Sequence, residues 1–132
     1  MQEEVQSAFA EMLDISTDID KAILIGPAGV LASNMLEADQ ETAATQAAEL
    51  VRLGEERAAE MGSEPFTQFV AETPAGYVFL AREPGESGMT IMATGKKGSR
   101  VGLVLYDLRT CMRDARETAS AKAPAPKGKE EG

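Results

Sequence analysis

A long stretch without glycine or proline constrains the fold of this chain more than any other feature. Asp39 is suited to be an N-cap, and neither glycine nor proline occurs again until Gly54. The helical pattern continues to Met61, and Gly62 stands where a C-terminal stop is expected. A helix of this length measures roughly 33 Å, about the width of a small domain. The chain of 132 residues is therefore expected to fold as a single domain built around this helix.

The predicted helix has two stripes of small or apolar residues and one polar face. The first stripe comprises Ala43, Ala47, Leu50, Gly54, Ala58 and Met61. The second stripe comprises Ala44, Ala48, Val51 and Ala59. The polar face comprises Glu41, Thr45, Glu49, Arg52, Glu56 and Glu60. One stripe is expected to pack on the chain's own sheet. The other either packs within the protomer or, as we expect, packs against the same helix of a second copy.

Strand patterns lie on both sides of the long helix. Two apolar runs, 19–26 and 30–36, flank the turn Pro27-Ala28-Gly29 and predict a β-hairpin. Three further runs, separated by turns rich in proline and glycine, predict a meander at 65–72, 76–83 and 89–94. Pro65 is suited to the start of an edge strand, where a missing backbone N–H is tolerated.

Amphipathic helices are predicted at both ends of the domain. Helical spacing near the N-terminus connects Val5, Ala8, Phe9, Met12 and Leu13. A closing helix is expected to begin near Ser99. We expect a domain at 1–119 and a disordered tail at 120–132, because the tail has no large apolar residue. The predicted class is α/β (α+β) in the order α-β-β-α-β-β-β-α. The long helix is expected on one face of a five-stranded antiparallel sheet, and the terminal helices on the other.

The residues needed for catalysis are missing from the sequence. The chain has no histidine, and its one cysteine, Cys111, lies in an apolar helical pattern without a neighbouring base. Residues 90–97 differ from a phosphate-binding loop at two positions, where Thr90 replaces the first glycine and Lys97 replaces serine or threonine. The carboxylates of the long helix fit a solvated face better than a metal or acid–base pair. We therefore expect no enzymatic activity, no cofactor and no metal site.

The charge is distributed unevenly along the chain. The first 62 residues carry thirteen acidic and three basic side chains, whereas the remainder is nearly balanced within a total of −9. Nucleic acid is therefore an unexpected partner, and a protein with a basic surface is favoured. Lys96, Lys97 and Arg100 form a small basic spot that either contacts an acidic partner or is an ordinary solvated loop. The acidic N-terminus and the lack of a long apolar run predict a cytoplasmic protein without a membrane span.

The sequence resembles the roadblock/dynein light-chain superfamily over about residues 5–118. Residues 23–62, ILIGPAGVLASNMLEADQETAATQAAELVRLGEERAAEMG, are similar to its strand, turn, strand and alanine-rich helix. The segment VGLVLYDLR at 101–109 is similar to the start of its closing helix. The turn departs mildly from the superfamily pattern, since Pro27-Ala28 stands where an acid or asparagine usually precedes the glycine. The compact form is most similar to bacterial members that regulate a small GTPase.

The resemblance implies a profilin-like sandwich that forms homodimers and binds Ras-like small GTPases. In such dimers the long helices pair, and edge strands join the two sheets. The expected dimer contacts are Ala44, Ala48, Val51, Phe66 and Phe69. The expected partner-binding residues are Glu41, Thr45, Glu49, Arg52 and Glu56. Two alternatives remain at this point: a structural adaptor, light-chain-like, that leaves nucleotide turnover unchanged, and a small-molecule sensor that uses the space between sheet and helices.

Overall fold

Helices and strands follow one another in the predicted order, α-β-β-α-β-β-β-α. The computed structural model describes residues 2–83 and 87–122, except the side chains of residues 2 and 118–122. The elements are α1 (Gln2–Ile15), β1 (Ile19–Gly26), β2 (Gly29–Ser33), α2 (Glu37–Met61), β3 (Gln68–Thr73), β4 (Gly76–Arg82), β5 (Thr90–Lys96) and α3 (Val101–Lys122).

The strands form one antiparallel sheet in the order β2-β1-β5-β4-β3. The hairpin and the meander are therefore joined between β1 and β5, and α2 carries the chain from one edge of the sheet to the other. The register aligns a row of residues across the middle of the sheet. This row is Ile23, Met92, Leu80 and Phe69, on β1, β5, β4 and β3 respectively.

Both faces of the sheet are covered by helices, as the apolar pattern of β1 predicted. Ala22 and Leu24 belong to the core beneath α1 and α3, whereas Ile23 points to the opposite face, beneath α2. All three are almost completely buried. The core on the side of α1 and α3 also contains Phe9, Met12, Phe79, Ile91, Val104, Leu108 and Met112.

The close packing of β4 against β5 depends on a glycine. A Cβ atom at Gly95 would lie 2.7 Å from the ring of Phe79 and 2.7 Å from the Oγ of Ser99. Such contacts are far shorter than van der Waals separation, so any side chain at position 95 would force the Phe79 ring and Ser99 to move. The ring of Tyr77 stacks beside that of Phe79, with centroids 5.6 Å apart.

The prediction that Asp39 caps α2 is wrong. The helix begins at Glu37, and Leu36 occupies the N-cap without a side-chain hydrogen bond. The backbone N–H of Asp39 already donates to the carbonyl of Leu36, so Asp39 lies inside the first turn. The predicted stop at Gly62 is confirmed, since Gly62 adopts a left-handed conformation with φ of 69°.

Three strand or helix boundaries also differ from prediction. β2 ends at Ser33, and the side chain of the next residue, Asn34, accepts from the backbone N–H of Ala22 and donates to the carbonyl of Asp20. β3 is an edge strand as predicted, but it begins at Gln68 and Pro65 precedes it. α3 extends to Lys122, past the predicted domain boundary. Residues 123–132 lie outside the described residues, and their disorder stays a prediction.

Candidate functional site

The polar face of α2 is exposed along the middle of the helix, on the side away from the sheet. Glu41, Thr45, Glu49, Arg52 and Glu56 are all exposed, so the structure brings the five predicted partner-binding residues onto one surface. Alanines at Ala43 and Ala47 are buried beneath them against the sheet. The polar face therefore rests on a rigid element that a docking partner would meet directly.

Arg52 is held between two carboxylates on this face. Its guanidinium donates to Glu49 at 3.0 Å and to Glu56 at 2.8 Å. The hydrogen bond that Arg52 donates to Glu49, together with the negative charges of Glu49 and Glu56, raises the pKa of Arg52 above its ordinary value. Both bonds run along the helix surface at i, i+3 and i, i+4 spacing. Arg52 is thus engaged within its own helix, and the polar face presents mainly carboxylate oxygens.

Two grooves flank α2 where it crosses the sheet. The Leu50 groove, of about 500 Å³, lies between α2 and the strand ends at Lys21, Val78 and Thr94. The Arg82 groove, of about 310 Å³, lies on the other flank. It is lined by Ala44, Ala48, Val51, Arg52, Arg82 and Thr90 among others. Leu80 lies between the Leu50 groove and the Arg82 groove and is fully buried. α2 therefore crosses the sheet above the row formed by Ile23, Met92, Leu80 and Phe69.

Two large apolar side chains of α2 are exposed, Leu53 and Met61. Leu53 follows Leu50 by three residues, so the two side chains share the flank of the Leu50 groove. Leu53 is 52% exposed. On the other flank, Ala48 is exposed, while Ala44 and Val51 are half-buried. The sequence analysis expected the stripe of Ala44, Ala48, Val51 and Ala59 to be the exposed apolar surface, and it overlooked Leu53. The spacing of Leu53 from Leu50, and its polar neighbours, indicate an exposed apolar residue.

Phe66 and Phe69 lie at the edge of the sheet that α2 approaches. The Phe66 ring packs on Gly54, where an added Cβ atom would lie 2.6 Å from the ring. Phe69 is half-buried and pairs with Leu80, so it faces α2 from the edge strand. The ion pair of Arg82 with Glu55 lies close by. The end of α2 is therefore joined to β3 and β4 by both apolar and ionic contacts.

Asp18 is a buried carboxylate with a structural role. Its Oδ2 accepts hydrogen bonds from the backbone N–H of Arg100 at 2.9 Å and from Nε of Arg100 at 3.2 Å. Lys96 Nζ lies 3.6 Å from the other carboxylate oxygen. These contacts, led by the backbone N–H, lower the pKa of Asp18 from its ordinary value. Asp18 thereby connects the residue before β1 to the residue before α3 by hydrogen bonds.

Replacing Asp18 with asparagine is expected to lower the stability of the fold at neutral pH. Because folding holds the pKa of Asp18 below 3.8, the ionised carboxylate stabilises the protein above that value. This stabilisation is lost as the pH falls through the lowered pKa. Urea unfolding of both proteins at several pH values should show a gap that closes below about pH 4. A gap of constant size across this range would contradict the proposed role.

Cys111 is expected to be unreactive in the folded protein. Burial, with a smaller contribution from the charge of Asp114, raises the pKa of its thiol to about 12, so the nucleophilic thiolate is scarce at neutral pH. Mass spectrometry after iodoacetamide treatment should show modification only when urea is present. Rapid labelling of the native protein would mean that Cys111 is accessible.

The described residues contain neither a metal cluster nor a membrane-spanning helix. Within residues 2–83 and 87–122, no group of three His, Cys, Asp or Glu side chains could hold a metal ion. Over the same residues, no helix is both long and apolar enough to cross a bilayer.

The sequence matches no protein-family model and no curated protein. Solved structures are nevertheless similar over most of the chain. Myxococcus xanthus MglB is 12% identical with a TM-score of 0.75, and the match covers 94% of each chain. A Roadblock/LC7 domain from Streptomyces avermitilis is 15% identical, with a TM-score of 0.73, over 84% of this chain and 93% of that one.

A third similar structure is described as MglB with a tetrameric arrangement. It is 20% identical with a TM-score of 0.73, and the match covers 91% of each chain. At these identities the likeness concerns the fold. The order of elements, the antiparallel sheet and the positions of the three helices agree with the expectation drawn from the sequence. The chain therefore has the roadblock/LC7 fold.

Proposed function

We propose that this protein is a homodimeric roadblock-type platform that regulates or scaffolds a Ras-like small GTPase. The observation that carries the proposal is the exposed polar face of α2, with Glu41, Thr45, Glu49, Arg52 and Glu56 on one rigid surface. The roadblock/LC7 fold and the superfamily resemblance of the sequence support the choice of partner. The lack of a phosphate-binding loop and of histidine supports binding without catalysis by this chain.

The length of α2 supports dimer formation. Its 25 residues span about 37 Å, whereas the outer strands of a five-stranded sheet lie only about 19 Å apart. By Glu55, α2 has already reached Arg82 on β4. The last turns of α2 therefore extend to the edge strand β3, where a second sheet would continue the first. If the β3 strands of two copies paired, the last turns of α2 would lie on the sheet of the second copy.

The position of α2 above β3 predicts which flank would meet the second copy. β3 runs from Gln68 to Thr73, so its midpoint lies between Val70 and Ala71. The row beneath α2 ends at Phe69, about 5 Å from that midpoint along the strand. A two-fold axis through the midpoint would put the two α2 helices about 10 Å apart, close to the 8–10 Å of ordinary helix packing.

This arrangement favours the flank of Leu50 and Leu53 as the dimer contact. The midpoint of β3 lies on the side of Val78, the partner of Ala71, and Val78 lines the Leu50 groove. The second helix would then cover apolar surface that is otherwise exposed. Ala44, Ala48 and Val51, predicted as dimer contacts, line the opposite groove and would remain on the outer flank. Phe69 keeps its predicted position beside the interface.

The polar face would act on a GTPase through differences in affinity. Hydrolysis of GTP needs an oriented water molecule and compensation of the charge that develops on the phosphate. A chain without a nucleotide site would alter the rate by binding one conformation of the partner's switch regions more tightly than another. Because Arg52 is engaged by Glu49 and Glu56, the carboxylates of this face are the groups offered, and a basic partner surface would complement them.

The proposal is tested by GTP turnover of the Ras-like GTPase encoded nearest to the gene of this protein. Single-turnover hydrolysis is measured with increasing amounts of the protein, and binding is measured in parallel with non-hydrolysable nucleotide. A saturable change in the hydrolysis rate is expected for a regulator. Binding with unchanged turnover would identify a scaffold or adaptor. Absence of binding to this GTPase in either nucleotide state would contradict the proposal.

A further inference from the structure

A second exposed surface lies where α1 ends and α3 begins, on the opposite side of the sheet from α2. Three large apolar side chains are exposed there: Ile15 by 63%, Leu103 by 43% and Tyr106 by 57%. Single exposed apolar residues are common in soluble proteins, but several in one region are typical of interaction sites. Whether these three side chains lie close together depends on the contacts between the end of α1 and the start of α3.

Contacts between the two helix ends hold these side chains in one region. Asp18, three residues after Ile15, is bonded to Arg100, three residues before Leu103. Ile15 also lines a small cavity between the helices together with Asp107 and Thr110. Leu103 lies one helical turn before Asp107, and Tyr106 lies one helical turn before Thr110. Both therefore lie on the surface of α3 next to this cavity.

Cationic side chains border this apolar region. The side chains of Lys96 and Arg100 are 61% and 63% exposed, and Lys97 is exposed as well. Lys96 and Arg100 share the carboxylate of Asp18, whose side chain is only 6% exposed. Among the described residues, Lys97 has no ion pair. Three cations and the single carboxylate of Asp18 leave a positive excess at this spot, beside a cavity whose lining also contains Glu11 and Asp107.

We propose that this surface binds an acidic peptide segment of a partner protein, with apolar side chains as anchors. We name it the α1–α3 tip, defined by Ile15, Lys96, Lys97, Arg100, Leu103 and Tyr106. Lys97, and the two cations that share the one carboxylate of Asp18, would attract acidic side chains, and the three apolar residues would supply the contact area. The tip lies on the other side of the sheet from the polar face of α2, and it is complete in one protomer. Its binding activity needs neither the dimer nor the GTPase.

Charge favours an acidic peptide over an anionic membrane. A lipid surface is extended, and the net charge of −9 on the chain would be repelled by it, whereas a short peptide meets only the local charge of the tip. The tip would thus let one molecule hold a second protein while α2 contacts the first.

The test uses a short fluorescent peptide in which Glu alternates with Leu, and a version with Gln in place of Glu. Binding is measured by fluorescence anisotropy and mapped by ¹⁵N–¹H spectra of the full chain. Chemical-shift changes are expected around Ile15 and from Lys96 to Tyr106, and the Gln peptide should bind much more weakly. Lys97→Glu and Leu103→Gln should each weaken binding at least about fivefold.

Arg113→Glu is the matched control, since Arg113 is exposed on α3 two helical turns beyond Tyr106 and the change in charge is the same as for Lys97→Glu. It should change the affinity by less than about twofold. The thermal midpoint of each variant shows whether the fold is retained. Absence of peptide binding, or equal weakening by Arg113→Glu and Lys97→Glu, would overturn the proposal. Tip-dependent binding to vesicles containing phosphatidylserine, without peptide binding, would overturn it in favour of a membrane contact.

Discussion

Replacing Leu53 with glutamate is expected to convert the proposed dimer into monomers. Leu53 is 52% exposed in the protomer and lies on the flank of α2 that would face the second copy. A carboxylate there would have to be buried against apolar surface without a partner. We expect the dissociation constant of the dimer to rise at least about 30-fold, which corresponds to ~2 kcal/mol. Sedimentation over a range of protein concentrations measures this shift.

Ala48→Glu is the matched variant on the other flank of the same helix. It introduces the same charged group, on a residue that is also exposed but lines the Arg82 groove. If the Leu50 flank forms the interface, Ala48→Glu should leave the dimer intact. Dissociation by Ala48→Glu and not by Leu53→Glu would support the small-residue stripe instead. A wild-type protein that sediments as a monomer at tens of micromolar would contradict the dimer altogether.

Replacing Phe79 with alanine is expected to remove a large part of the stability of the protomer. Phe79 is fully buried, and its ring fills the space left by Gly95 and stacks with Tyr77. Truncation of a buried phenylalanine costs about 3–5 kcal/mol, because a cavity remains where the ring was. The free energy of unfolding in urea, measured at a fixed protein concentration, is the quantity to compare.

Val70→Ala is the control for Phe79→Ala, because Val70 pairs with Phe79 across the strands but is 37% exposed. It should cost less than about 1 kcal/mol. If Phe79→Ala does not fold, Phe79→Leu keeps most of the volume and should show a smaller loss in the same direction. A loss below about 1 kcal/mol for Phe79→Ala would mean that β4 and β5 repack around the cavity.

Periodicity and turn residues were sufficient to predict the order of elements. The alternation of β1 predicted a strand covered on both faces, and Gly62 marked the end of α2 correctly. Element ends were harder to predict, because side chains distant in sequence bond backbone groups there. Just after β2 the side chain of Asn34 accepts from the N–H of Ala22, and just before α3 the side chain of Asp18 accepts from the N–H of Arg100. Contacts of this kind depend on the tertiary fold and leave no local signature in the sequence.

The candidate site was predictable in part. Helical spacing grouped Glu41, Thr45, Glu49, Arg52 and Glu56, because one helix positions all of them. The choice of dimer flank was not predictable from spacing, since it depends on where α2 crosses the sheet relative to the midpoint of β3. The α1–α3 tip was visible only as the basic residues Lys96, Lys97 and Arg100. Its apolar part comes from two helices that are 85 residues or more apart in the chain, Ile15 on one and Leu103 on the other.

The central claim is that the polar face of α2 binds a Ras-like GTPase. Its most direct test is calorimetric titration of the GTPase encoded nearest to this gene with two charge-reversed variants of the protein. Glu49→Lys reverses a charge on the polar face of α2, and Glu11→Lys makes the same change on α1, beyond the opposite face of the sheet. We predict that Glu49→Lys weakens GTPase binding about tenfold, or ~1.4 kcal/mol. Glu11→Lys should leave the affinity within about twofold of wild type. Equal affinities for wild type and Glu49→Lys would contradict the assignment of the α2 face as the binding surface.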